Sequence, residues 1–171
     1  MTLKVLGEMP LYLETQSEVR EYLDAVFSEG DRLKSSTDMT FQVIGDVATH
    51  RIALSTPDNV LSIGINFRSG YGGLLWYCDG ILAHRVSAEV GHDVAYNAWV
   101  SRNSDPSQTD PKVLSDPSCP TFFDRISVVP LSSIRPVVEE YFREGTGFRP
   151  AQMQWAKGHY AGELCVEESE E

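Results

Sequence analysis

Four histidines, three cysteines and a surplus of carboxylates are the residues of this 171-residue chain whose types could do chemistry. Metal binding needs two or more donors on one face of an element, and His50, His84, His92 and His159 form no HExxH or HxH pair. His92 and Asp93 are adjacent, which in a strand sends their side chains to opposite faces. Cys78, Cys119 and Cys165 lie far apart and include no CxxC pair, so they read as free thiols, without a disulfide framework or a cysteine zinc site. Nucleophilic catalysis needs a Ser or Cys on an activating turn, and no GxSxG is present. GYGGLL (70–75) leads into a strand-like run, whereas a phosphate-cradling glycine loop runs from a strand into a helix. Its glycines read as a turn or bulge between strands. No catalytic residue, metal or cofactor is therefore expected. The one catalytic alternative is a small enzyme using His84 or His92 with Asp79 or Asp93, which gather between positions 79 and 93.

The elements that must position these residues follow from periodicity. LKVL (3–6) reads as a short strand. Thr15 with Glu18 forms a capping box, and Val19, Tyr22, Leu23, Val26 and Phe27 line one face of the helix that follows. Gly30 is expected to end it. MTFQVIG (39–45), THRIALS (49–55), VLSIGINF (60–67), GGLLWYCDG (72–80), HRVS (84–87) and VAYNAWV (94–100) read as strands of a meander. Three Asp-Pro pairs make residues 101–120 a long loop, and loops of that length are uncommon unless functional or mobile. RISVVP (125–130) reads as a strand leading to a helix capped by Ser132 or Ser133, with Ile134, Val137, Val138, Tyr141 and Phe142 on its apolar face and Gly145 at its end. On that helix Glu139-Glu140 is expected on the solvated side. AQMQW (151–155) reads as a last short strand. The expected fold is α+β: a mainly antiparallel sheet of four to six strands with two amphipathic helices on one face. Residues 1–155 would form a single domain, and 156–171 an acidic, mobile tail.

Hydrophobic residues make up 42% and charged residues 23%, which excludes a wholly disordered chain. Acidic residues outnumber basic ones 25 to 14, for a net charge of -11. That balance opposes phosphate backbones, so no direct nucleic-acid binding is expected. The start of the chain lacks a signal-peptide pattern and no apolar run reaches membrane length, so a cytoplasmic protein without membrane contact is expected.

The block VVEEYFREGTGFRPAQMQW (137–155) resembles the ending of bacterial toxin-immunity proteins of immunity protein family one, which accompany polymorphic toxins, often deaminases. Tyr141 and Phe142 fill the helix's aromatic positions, Thr146-Gly147 the turn, Arg149-Pro150 the pair and Trp155 the close. The middle is similar too: strand Leu61 to Phe67, a second strand ending in Leu74 to Tyr77, then Asp79-Gly80. The resemblance spans roughly 60–155 and leaves the Asp-Pro loop unexplained. It implies an inhibitor that binds a cognate toxin domain, one acting on nucleic acid, and covers its active site without catalysis. Gly147, Arg149, Pro150 and Trp155 are assigned to folding, with Arg149 placed to bond the helix's last carbonyls. Tyr71, Trp76, Asp105, Asp110 and Asp116 are the expected partner contacts, since aromatics anchor interfaces and acids suit a basic toxin. A general interaction module, with the 101–120 loop as its recognition element, is the non-catalytic alternative.

Overall fold

The computed structural model describes residues 1–7, 9–44, 58–116 and 118–165. The expected strand at 49–55 and His50 lie outside them. Strands β1 (Thr2–Leu6) and β2 (Leu11–Leu13) precede helix α1 (Gln16–Leu33), which is followed by β3 (Ser36–Ile44), β4 (Asn59–Asn66) and β5 (Tyr71–Cys78). Helices α2 (Gly80–Glu89) and α3 (His92–Ala95) lead to β6 (Ala98–Ser101). Short strands β7 (Leu114–Asp116), β8 (Thr121–Phe122) and β9 (Val128–Pro130) precede helix α4 (Ile134–Glu144) and the closing strand β10 (Trp155–Gly158).

The fold is α+β. Among the described residues the main sheet has eight strands in the order β10-β6-β5-β4-β3-β1-β2, with β9 also on β5, and every pairing is antiparallel. β6 and β9 share one edge of β5: β6 pairs at Leu75 and Trp76, β9 at Tyr71 to Gly73. The expected four to six strands undercount the sheet: β2, three residues long, is too short to display a period of two, and the short runs read at 125–130 and 151–155 supply β9 and the start of β10 as further members.

Alternation along β4 and β5 sends Leu61, Ile63, Ile65, Leu74, Trp76 and Cys78 to the face covered by the helices. There they meet Val19 and Leu23 of α1, Leu82 and Val86 of α2, and Ile134, Val137, Val138, Tyr141 and Phe142 of α4. Leu75, Val100 and Val128 point the other way and form a smaller core with Val113 and Phe123. That second core is possible because Gly64 and Gly73 face each other across β4 and β5. A Cβ on Gly64 would lie 1.9 Å from the Leu114 carbonyl oxygen, and one on Gly73 2.4 Å from the Phe123 ring. The chain from 111 to 123 thus rests directly on sheet backbone.

Several local expectations change. The capping box is present, with Thr15 Oγ1 accepting from Glu18 N and Glu18 accepting from Thr15 N. The helix does not stop at Gly30; it runs to Leu33, with Lys34 in the left-handed region at φ 51°. Gly30 instead admits the Phe67 ring, which a Cβ would approach to 2.0 Å. HRVS (84–87) is helical, because Leu82, Ala83 and Val86 bury one helical face and Asp58 Oδ2 accepts from Leu82 N at the helix start. That cap comes from another element, so no local signal announced it. Residues 94–97 lie in and just after α3, and 125–127 form a single 3₁₀ turn. The last strand is Trp155–Gly158 rather than 151–155. Residues 156–165 therefore join the sheet's edge instead of fraying, with Cys165 N donating to Lys157 O and Gly158 bridging Leu164.

Two measurements check this packing. Gly64→Ala is expected to destabilise by about 3 kcal/mol in denaturant unfolding, since the clash is with backbone that must move; a loss below about 0.5 kcal/mol would contradict the contact. Cys78 is buried, and burial reinforced by Asp58 and Asp79 pushes its thiol up to about 11. A thiol reagent at about pH 8 should label Cys119 and Cys165 in the native protein and reach Cys78 only on unfolding.

Candidate functional site

The half of the sheet's outer face that the 111–123 segment leaves open carries the outward side chains of β3, β4 and β5. Alternation places Asp38 and Thr40, Ser62, and Leu75 and Tyr77 there. Thr40 Oγ1 and Ser62 Oγ hydrogen-bond across the strands at 3.1 Å. The β7–β8 hairpin forms a wall through Ser115 and Asp116, and Tyr160 closes the rim, enclosing a cleft of about 230 Å³. Tyr160 meets Tyr77 edge to face, with centroids 5.0 Å apart and rings at 82°. Burial, with Asp79 and Tyr160 adding to it, raises the Tyr77 hydroxyl pKa, so the phenol stays neutral.

Asp116 anchors the hairpin. Its Oδ1 accepts from Ser118 N (2.8 Å), Ser118 Oγ (2.6 Å) and Cys119 N (3.3 Å). These bonds hold its carboxyl below the usual range and so keep it ionised, with Ser118 the larger cause. Asp110 is held low in the same way by Lys112, whose backbone N–H and ammonium both reach it. Asp105 is exposed on the same loop, where its backbone N–H donates to Asn103 Oδ1. The loop itself is fastened: Asn103 donates to Val128 O, Asn66 to Pro111 O and Arg125 to Ser107 O.

Of the expected contacts, Tyr71 is half-buried on the same face of β5 as Tyr77 and packs against the second core. Asp116 lines the cleft, while Asp105 and Asp110 stand on the loop. Trp76 is corrected: it is 0% exposed on the opposite face, and its indole N–H donates to Gly147 O at 3.0 Å. It serves the core and offers no surface to a partner.

The C-terminal block is a knot around that bond. Asn59 Oδ1 accepts from Tyr141 OH (2.6 Å) and Val43 N (2.7 Å), and Gly147, at φ 78°, packs against Asn59 and Leu82. Trp155 Nε1 donates to Pro150 O at 2.8 Å. Arg149 does not bond the helix's last carbonyls; its guanidinium lies 4.0 Å over the Trp99 ring, and burial lowers its pKa against the pull of Asp93. Glu140 is the second correction. It is 6% exposed, and its two oxygens accept from Ala151 N (2.8 Å) and Gln152 N (2.9 Å), which ties α4 to the turn after Pro150. Glu139 alone takes the solvated role, paired with Arg135 and Arg20.

A larger cleft of about 660 Å³ lies between Trp99, Trp155, Arg102 and Lys157. Two of its polar groups are committed within the fold: Lys157 pairs with Asp93 at 2.6 Å, and the Trp99 indole donates to Val94 O. The histidine group is arranged around Tyr96, whose hydroxyl is 3.3 Å from His84 Nδ1 and whose ring is 4.6 Å from His92. Asp93 is engaged by Asn97 and Lys157. Among the described residues, no three His, Cys, Asp or Glu side chains are grouped to hold a metal ion, and no helix is long and apolar enough to cross a membrane.

The family model described as Immunity protein Imm1 matches residues 7–157, all but the two ends of the chain. The chain belongs to the Imm1 immunity-protein family. No curated protein and no solved structure matches it. The Imm1 match extends well before the C-terminal block and takes in β2, α1, every strand from β3 to β9 and the long loop. As an Imm1 immunity protein, the chain has a toxin protein as its implied partner.

Glu140 supplies the test of the knot. Glu140→Ala removes the acceptor of two part-buried N–H donors and should cost roughly 2 kcal/mol, with Glu140→Gln, which keeps one good acceptor, losing about half as much. Thermal and denaturant unfolding of both variants measures this, and equal stability of all three proteins would refute it.

Proposed function

We propose that this protein neutralises a cognate bacterial toxin that acts on nucleic acid, such as a deaminase, by covering its active site. The observation that carries this reading is membership of the Imm1 family. Charge supports the choice of toxin class: a protein that works on polynucleotide presents positive surface to phosphates, and a chain of net charge -11 competes for that surface. Electrostatic steering raises such association rates to about 10⁸ M⁻¹s⁻¹ or more at low salt. Inhibition then needs shape and charge complementarity alone. An interface of ordinary size buries roughly 1,200–2,000 Å². Tyr71, Asp105, Asp110 and Asp116 are its proposed contributors, from the outer face of β5 and the loop in front of it. The three unpaired cysteines suit the reducing cytoplasm, where a toxin's own producer needs protection.

Co-expression tests the proposal. The toxin encoded beside this gene should arrest growth alone, and the immunity protein should restore it and co-purify with the toxin as a complex. In vitro, the complex should lack the toxin's nucleic-acid activity, and added salt should slow its formation. Failure to rescue growth, with no complex formed, would overturn the reading.

A further inference from the structure

We propose that the cleft between Asp38, Ser62, Tyr77, Asp116 and Tyr160 is the socket for one cationic side chain of the toxin, with arginine the best fit. The inference rests on the immunity reading above and assigns the surface and the chemistry that reading leaves open. Size comes first. At about 230 Å³ the cleft is smaller than the roughly 300–1,000 Å³ of small-molecule sites, yet it admits the tip of a single long side chain. Charge comes second. Among the described residues its lining holds two carboxylates and no lysine or arginine. Asp116 is kept ionised through Oδ1, which takes all three hairpin donors, so its Oδ2 is the oxygen left to face a ligand.

The neutral groups complete the fit. A guanidinium is planar, carries five N–H donors and stacks on aromatic faces. Tyr77 and Tyr160 supply rings at right angles to one another, and the Thr40–Ser62 pair supplies hydroxyl oxygens on the floor. Tyr160 is 65% exposed although it is a large aromatic, which suits a rim residue that an incoming protein covers. A basic toxin surface matches this acidic face, whereas an anionic ligand would be repelled by both carboxylates. The occupant is therefore a protein side chain that follows from the toxin's need to hold phosphates.

The experiment measures binding of the purified toxin domain encoded by the neighbouring gene to the full-length protein by calorimetry. Variants are Asp38→Lys, Tyr160→Ala and the double change Asp38→Asn with Asp116→Asn. Asp38 and Tyr160 are exposed, and asparagine at 116 keeps the Oδ1 acceptor, so all should unfold at nearly the wild-type temperature. Asp38→Lys should weaken binding about 100-fold or more, and the other two about tenfold each. An arginine-to-glutamate change at one toxin position should abolish binding to the wild type and recover it with Asp38→Lys. If the wild type binds and neutralises the toxin while all three folded variants bind within about twofold of it, the socket is wrong and the immunity reading stands. If the wild type neither binds nor neutralises, both fall together.

Discussion

The β4–β5 pair has to be covered on both faces, and most of the architecture follows from that. Its inward residues, Leu61, Ile63, Ile65, Leu74 and Trp76, are too apolar to face water, so α1, α2 and α4 pack on them. On the outward side the paired glycines Gly64 and Gly73 remove the side chains that would hold anything off, and the 111–123 chain settles onto bare backbone. The contact covers only part of that face. Toward β3 the outward residues change to Asp38, Thr40 and Ser62, and the cleft opens where the covering ends. The same hairpin that shields the second core thus provides one wall of the candidate recognition site.

The residues that carry the family resemblance lie on the other side of that division. Gly147 receives the Trp76 indole bond, Pro150 receives that of Trp155, and Arg149 stacks on Trp99. Glu140 clamps the turn that follows. All are committed to holding α4 and β10 against the sheet, so this block can identify the fold without touching a toxin. The proposed recognition site draws on side chains from β3, β4, β5, the hairpin and Tyr160, which no contiguous motif unites. A frame with inward-facing signature residues and an outward face of separate origin leaves the partner free to differ while the fold stays the same.

Much of the fold was legible because its signals are local. The capping box at Thr15 and Glu18, the stripes of α1 and α4, the left-handed Gly145 and the β3–β4–β5 meander all follow from spacing within one element. What was missed depends on distant partners. The α2 cap comes from Asp58, Gly30 yields to Phe67, and Glu140 is buried because the chain returns to it eleven residues later. Periodicity placed Glu140 beside Glu139 in solvent, since a carboxylate adjoining an apolar stripe carries no mark of the donors it will meet. The site shows the same split. Of the candidate cleft's lining, Asp116 was recognisable as an acid on an unusual loop. Asp38, Ser62 and Tyr160 come together only when β3, β4 and the turn after β10 share a face, and Trp76 has the same strand context as an exposed aromatic until the alternation of β5 is fixed in space.

Net charge and local chemistry act at different ranges, and the function needs both. The excess of acids attracts a basic partner from a distance, but beyond roughly 10 Å salt screens it, and it carries no geometric information. Exposed ion pairs such as Arg32–Glu29 and Lys34–Asp31 cancel part of it and add little stability. In the cleft the arrangement is reversed: among the described residues two acids line it without a lysine or arginine, beside the rings of Tyr77 and Tyr160. There an incoming cation gains more per contact, because the surroundings are less polar than bulk solvent. Orientation is set by this short-range step, and a generally acidic surface cannot supply it. On the proposed reading, selectivity for one toxin over other basic proteins would belong to the cleft and its rim, and speed of capture to the charge of the whole chain.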